Sequence, residues 1–219
     1  MQPASEICRF VVLISGQGTN LREIVRSCRE HNVPAEFVRV ISNQADAPGL
    51  QWARERGIET AVLSHRDFAS REAFDAALAE LIQESRPEYV ILAGFMRILT
   101  EGFVRQFESR MVNIHPSLLP AFTGLHSHAR AIESGVGWHG CTVHFVTAEL
   151  DHGPIIAQAA LEIEPQDTPD SLARRVQLLE HQLYPQVVEW LAQGRVSVDQ
   201  HNKVHVRGVE HRHIKGYQA

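Results

Sequence analysis

The sequence predicts an α/β fold: a Rossmann-like open, mainly parallel sheet flanked by helices, with an antiparallel C-terminal extension. Three observations carry this. Nearly continuous apolar runs at 7–14 and 88–93 read as strands buried on both faces. Such runs alternate with helical stretches, the pattern of βαβ units. Two later segments, 140–147 and 155–163, alternate residue by residue around a turn-rich connection, as an antiparallel pair does.

In chain order, the strand at 7–14 runs into Ser15-Gly16-Gln17-Gly18-Thr19-Asn20 and then a helix over 21–29. Strand, Gly-rich turn and helix together aim backbone N–H groups and a helix dipole at a phosphate. Only one G-x-G is present and no Walker lysine follows, so a tight βα turn without ligand remains open from these residues alone. A strand at 37–42, a helix at 47–56 closed by Gly57, and a short strand at 60–63 come next. The stretch 70–84 is an amphipathic helix with Phe74, Ala77, Leu78, Leu81 and Ile82 on one stripe. After the 88–93 strand, Thr100 caps a short helix through Gln106.

Met111-Val112-Asn113-Ile114-His115-Pro116 begins as a strand and is stopped by proline. Asn113 and His115 are two residues apart, so both side chains share one face. Ligands in open α/β sheets bind outside the carboxyl ends of the strands. Taken alone, the pair reads either as a site for chemistry or as a polar strand end satisfied by its own loop. A loop at 121–125 and a helix at 126–134 follow. In 140–147, Cys141, Val143 and Phe145 face one way and Thr142, His144 and Val146 the other. Thr168 with Pro169 opens a long helix to about Gln193. Residues 196–198 and 204–206 pair as a small hairpin, and 211–219 is expected to be a loose polar tail.

The 219 residues are 44% hydrophobic and 21% charged with net charge −5, which suits a single domain with its core over about 7–195. The negative balance argues against nucleic-acid binding. The N-terminal apolar run is too short for a signal peptide core or a membrane span. Cys8, Cys28 and Cys141 are odd in number and far apart, as expected of reduced thiols in a cytoplasmic protein. The pairs His126/His128, His201/His205 and His211/His213 lack a cysteine pair or an H-E-x-x-H frame, so no metal is expected.

Four motifs stand in series: the Ser15 to Asn20 turn, Leu92-Ala93-Gly94-Phe95-Met96-Arg97-Ile98-Leu99, Asn113-Ile114-His115-Pro116-Ser117-Leu118-Leu119-Pro120, and Leu150-Asp151-His152-Gly153-Pro154-Ile155-Ile156. In this order and spacing they resemble the folate-dependent phosphoribosylglycinamide formyltransferases of purine synthesis. The resemblance covers about 7–195. Two positions depart from the family pattern: Ala121 stands where many members carry a basic residue, and His152 replaces a smaller one. Neither is a catalytic position. Relatives acting on methionyl-tRNA carry a further C-terminal domain, and the formyltetrahydrofolate hydrolases a further N-terminal one. This chain is expected to hold neither.

The resemblance implies formyl transfer from 10-formyltetrahydrofolate to the amine of 5-phosphoribosylglycinamide, in a monomer or homodimer. It implies catalytic roles for Asn113, His115 and Asp151. Gly18, Thr19 and Asn20 would take the ribonucleotide phosphate and Glu180 its amine. Arg71, Met96, Arg97, Ile98, Leu99, Asn113 and Leu150 match folate-side positions. A formyltetrahydrofolate hydrolase or another formyl-transfer enzyme, and a non-enzymatic nucleotide- or folate-binding module, are the competing readings; a binding module has no need of a proton relay. The turn carrying Asp151 is expected at the sheet edge where the Asn113 strand ends.

Overall fold

A computed structural model describes residues 7–215. Strand β1 (Cys8–Ile14) is almost wholly buried and runs parallel between β2 (Ala35–Ser42) and β4 (Tyr89–Leu92). β3 (Thr60–Val62) extends one edge, and β5 (Met111–His115) pairs parallel with β4. β6 (Trp138–Phe145) adds antiparallel to β5, and β7 (Ile155–Glu162) adds antiparallel to β6. The expected mainly parallel sheet with an antiparallel extension is therefore present; with β10 (His213–Lys215) at one edge the order is β10-β7-β6-β5-β4-β1-β2-β3.

The outermost strand, β10 (His213–Lys215), corrects the expectation of a loose tail from 211 onward. It pairs parallel with β7, and Arg212 ties it down by donating to the carbonyls of Ile155 and Ile156, both at 3.0 Å. The polar composition misled because an edge strand needs only main-chain partners on one side. Residues 216–219 lie outside the described residues. The expected hairpin forms as β8 (Val196–Val198) and β9 (Val204–Val206).

Helices cover both faces. α1 (Thr19–Glu30) and α6 (Pro169–Ala192) lie on the face that buries Val12, Ile14, Val112, Cys141 and Val143. α3 (Arg71–Glu84) and α4 (Glu101–Gln106) lie on the other, with Val11, Leu13, Val90, Leu92 and Met111. α2 (Pro48–Arg54) and α5 (Ser127–Glu133) complete the layers. Of the expected α3 stripe, Phe74, Leu78 and Ile82 are buried, while Ala77 and Leu81 sit at its half-exposed margin. The caps follow the sequence. Ser70 accepts from Ala73 N, Thr100 from Phe103 N, and Thr168 shares a capping box with Ser171. In β6, every residue from His139 to Phe145 is buried, so its alternation is chemical: apolar toward α6, polar toward the opposite face.

Strand order reverses around β1 and β4, which opens a crevice at their carboxyl ends. The Gly-rich turn leaves β1 there and the 94–99 segment leaves β4 beside it, joined by Ser15 N to the Gly94 carbonyl at 3.1 Å.

Candidate active site

Asn113 and His115 project from β5 toward the α3/α4 face, beyond the end of the helix cover. In the antiparallel register Asn113 lies opposite His144, and His115 opposite Thr142. Directly opposed residues share a face, so β6 brings His144 and Thr142 beside the pair.

Asp151 joins them by a route the sequence reading did not anticipate. Because β6 is antiparallel, its end at Phe145 is level with Val112, at the start of β5 rather than at its carboxyl edge. The connection 146–154 folds back across the sheet face. Its base is clamped by Phe145 N to the Pro154 carbonyl at 2.9 Å, and Gly153 lies so close that a Cβ there would meet the Phe145 oxygen at 1.7 Å. Asp151 takes a left-handed conformation, φ 57°, which Asp tolerates better than most residues. Its Oδ2 stands 3.4 Å from His115 Nδ1, and both side chains are buried. The same oxygen accepts from Gly124 N at 2.8 Å.

Both ring nitrogens of His115 face acceptors: Asp151 at Nδ1 and the Phe122 carbonyl at Nε2, 3.0 Å away. An imidazolium, which donates from both nitrogens, satisfies this pair of partners. The surroundings of His144 differ. Its Nδ1 lies 2.9 Å from the Phe145 carbonyl, which can only accept, so Nδ1 carries a proton. Burial holds its pKa below the ordinary imidazole value, only partly offset by the Phe145 carbonyl and Asp151. The neutral ring therefore offers Nε2 as acceptor to the Asn113 amide, 3.5 Å away. One amide hydrogen of Asn113 is used on His144 and the other has no partner among the described residues.

A second cluster forms at the Gly-rich turn. Gly18 precedes α1 with φ 66°, and a Cβ there would meet Gly49 Cα at 3.2 Å. Thr19 and Asn20 are the first two residues of α1. Asn20 donates through Nδ2 to Glu180 Oε2 at 2.9 Å, while its own Oδ1 is buried without a partner among the described residues. Burial pushes the Glu180 carboxyl above the ordinary range, and the Asn20 bond only partly opposes this. Gln177, one turn before Glu180, donates to Thr19 Oγ1 at 3.2 Å. Tyr184, one turn after it, holds its buried hydroxyl 3.0 Å from the carbonyls of Leu92 and Val112, anchoring α6 beneath β4 and β5.

The 94–99 segment borders the crevice. Met96 and Ile98 are exposed apolar side chains, as is Leu150 in the Asp151 connection. Leu99 packs against the α3/α4 core, and Arg97 is half-buried with its Nε lacking a partner. Arg71 is not tied to the other predicted residues by any described contact. It opens α3 on the surface, with no hydrogen bond or ion pair to another described residue.

Sequence reasoning missed His144, Gln177 and the buried His139. The register that places His144 opposite Asn113 is a tertiary fact with no local signal. Gln177 was findable, because it shares a helix face with Glu180 at i, i+3. His139 lies 3.1 Å from His128 and edge-on to Phe122, behind the loop that caps His115. Burial, with His128 adding to it, depresses His139 to about 4. Among the described residues no group of three or more His, Cys, Asp or Glu side chains is placed to hold a metal ion. Nor is any helix there long and apolar enough to cross a membrane.

A family model described as formyl transferase matches residues 8–188. The phosphoribosylglycinamide formyltransferase of Escherichia coli is 48% identical over 189 residues, covering 86% of this chain and 89% of that one. Its namesake from Haemophilus influenzae is 43% identical over 190 residues, covering 87% and 90%. Among solved structures, the phosphoribosylglycinamide formyltransferase of Coxiella burnetii superposes with a TM-score of 0.89 at 45% identity, over 95% of this chain and all of that one.

Proposed function

The chain belongs to the formyl transferase family, and on that premise we propose how its own residues divide the work. The reaction is transfer of the formyl group of 10-formyltetrahydrofolate to the amine of 5-phosphoribosylglycinamide, a step of purine synthesis. The amine nitrogen attacks the formyl carbon, and the formyl oxygen becomes an oxyanion. The amine then loses a proton, the folate nitrogen gains one, and the carbon–nitrogen bond to folate breaks.

Asn113 gives its free amide hydrogen to the oxyanion, with His144 holding the amide in place. His115 acts as the charged donor and as the acid for the departing folate nitrogen. Its Nε2 hydrogen, now on the Phe122 carbonyl, is released when a substrate oxygen replaces that carbonyl. Asp151 orients the imidazolium and takes the amine proton through water. One lost oxyanion donor typically costs about 3–4 kcal/mol of transition-state stabilisation.

Gly18, Thr19 and Asn20 take the phosphate through backbone N–H groups and side-chain donors at the start of α1. Glu180 holds the amine, and Gln177 lies beside it. Met96, Ile98, Leu99 and Leu150 form the apolar wall for the pterin, with Arg97 and backbone groups reading its polar edge; Arg71 lies outermost on the folate side. The chain works as one domain, monomer or homodimer, on these two small molecules. A cytoplasmic setting suits its three buried free thiols, Cys8, Cys28 and Cys141.

The observation that supports the catalytic assignment most directly is the approach of Asp151 to His115 from a connection that begins at the other end of β5. The test is to mix the protein with 10-formyltetrahydrofolate and follow deformylated folate with and without 5-phosphoribosylglycinamide. Release that requires the ribonucleotide is the expected result. Release without it would assign a hydrolase, and no release would leave only a binding module.

A further inference from the structure

The phosphate turn and the folate-facing segment are consecutive in space but not in sequence, and one side chain joins them. Ser15 is the first residue after β1. Its main-chain N–H donates to the Gly94 carbonyl at 3.1 Å, and its Oγ accepts from Met96 N at 2.8 Å. The same hydroxyl donates to Asn43 Oδ1 at 2.6 Å. Asn43 directly follows β2 and is only 4% exposed, so the acceptor is fixed. The far end of the segment is pinned separately, by Thr100 N donating to Asp75 Oδ2 at 2.6 Å.

Ser15 is followed at once by Gly16 and Gly18, whose backbone abuts Gly49. Gly49 N donates to the Gly16 carbonyl at 3.1 Å. Asn43 opens the short link between β2 and α2, and Gly49 lies in the first turn of α2, so the turn is supported from two consecutive elements. Through these bonds the position of the turn at Ser15 bears directly on the Met96 backbone. Neither Ser15 nor Asn43 has a role in the reaction chemistry.

We propose that Ser15 is a positioning residue that ties the phosphate turn to the folate-facing segment, so that filling one subsite sets the other. The proposal rests on the assignment of 94–99 to folate and of the Gly-rich turn to phosphate. Coupling of this kind is reciprocal: the ribonucleotide tightens folate by the factor by which folate tightens the ribonucleotide.

The test uses tetrahydrofolate, which carries no formyl group and so permits equilibrium binding beside 5-phosphoribosylglycinamide. In the wild-type protein the ribonucleotide is expected to tighten tetrahydrofolate binding. Ser15→Ala should weaken tetrahydrofolate by about five- to tenfold, the scale of one or two neutral hydrogen bonds, and bring the coupling factor toward one. Ser15→Thr keeps the oxygen and should recover most of both. Asn43→Ala removes only the acceptor that orients the hydroxyl; it should reproduce the loss of coupling, and it carries the test should Ser15→Ala fail to fold. A purely structural role would lower the Tm and leave affinity and coupling alone. Tetrahydrofolate affinity within twofold of wild type, an unchanged coupling factor, a wild-type factor of one, or no recovery in Ser15→Thr would overturn the proposal. The activity reading fails separately, on absence of ribonucleotide-dependent turnover by the wild-type protein.

Discussion

His115 and Asp151 meet over the face of the sheet, Nδ1 to Oδ2 at 3.4 Å, with the carboxylate also holding the Gly124 N–H. Substituting Asn at 151 retains the left-handed backbone, since Asn shares that tolerance, and retains an acceptor for Gly124. It removes the charge that faces the imidazole. Asp151→Asn is therefore expected to fold and bind both substrates yet lose at least about 10²-fold in kcat. If Asp151 merely shapes the connection, steady-state kinetics will find kcat within a few-fold of wild type.

His115→Ala should keep folate binding and lose about 10²–10⁴-fold in kcat, the usual yield of a positioned acid–base group. The ring also holds the Phe122 carbonyl, so some loosening of the 117–126 loop is expected alongside. Tetrahydrofolate titration separates the two effects, and near-normal turnover would remove His115 from the mechanism.

Gly18→Val puts a branched side chain at φ 66°, against Gly49 Cα. The KM for the ribonucleotide should rise at least about tenfold while the folate KM changes less. A folded variant with an unchanged ribonucleotide KM would move the phosphate elsewhere.

The strands around β1 were legible because burial on both faces writes itself as unbroken apolar runs, and the helix starts because Ser70, Thr100 and Thr168 are caps with a local mechanism. Asn113 and His115 shared a face by strand period alone. The association of Asp151 with them came from family likeness; Asp151 does reach the end of β5, but by a fold-back of the 146–154 connection that has no local signal, since antiparallel pairing delivers β6 to the opposite end of β5. His144 and Ser15 were not legible, since each acts across strands. β10 was hidden because three residues with main-chain partners leave no hydrophobic period to read.

Glu180 offers a prediction in which function and stability move in opposite directions. Burial raises its pKa in the folded protein. A group raised on folding contributes stability below its unfolded pKa and loses it as pH rises through the folded value. Above that raised pKa the ionised carboxylate is therefore a cost to the unliganded fold. Glu180→Gln keeps an acceptor for Asn20 and removes the charge. The Tm at pH 7 should rise or hold, and the ribonucleotide KM should increase about tenfold or more, the worth of a hydrogen bond to a charged group. An unchanged KM would detach Glu180 from the substrate amine.

His139 gives the fold its own acid sensitivity, away from the reacting atoms. It is wholly buried against Phe122 and shares a hydrogen bond with His128 Nδ1. Burial first, and then the neighbouring His128 and His115, lower its pKa from 6.5 to about 4. The unfolded chain therefore takes up a proton at this residue near pH 6.5, while the folded protein refuses it until about pH 4. Throughout that window the unfolded state binds more protons, so stability rises with pH and falls on acidification. One such group contributes a slope of at most about 1.4 kcal/mol per pH unit. His139→Gln keeps a polar side chain and removes the titration. Denaturant unfolding from pH 7 down to pH 4.5 should show the wild-type protein losing stability more steeply than the variant, with the difference opening below pH 6.5. Parallel curves would mean that the folded protein protonates His139 as readily as the unfolded chain does, and that the His128–His139 contact opens to solvent.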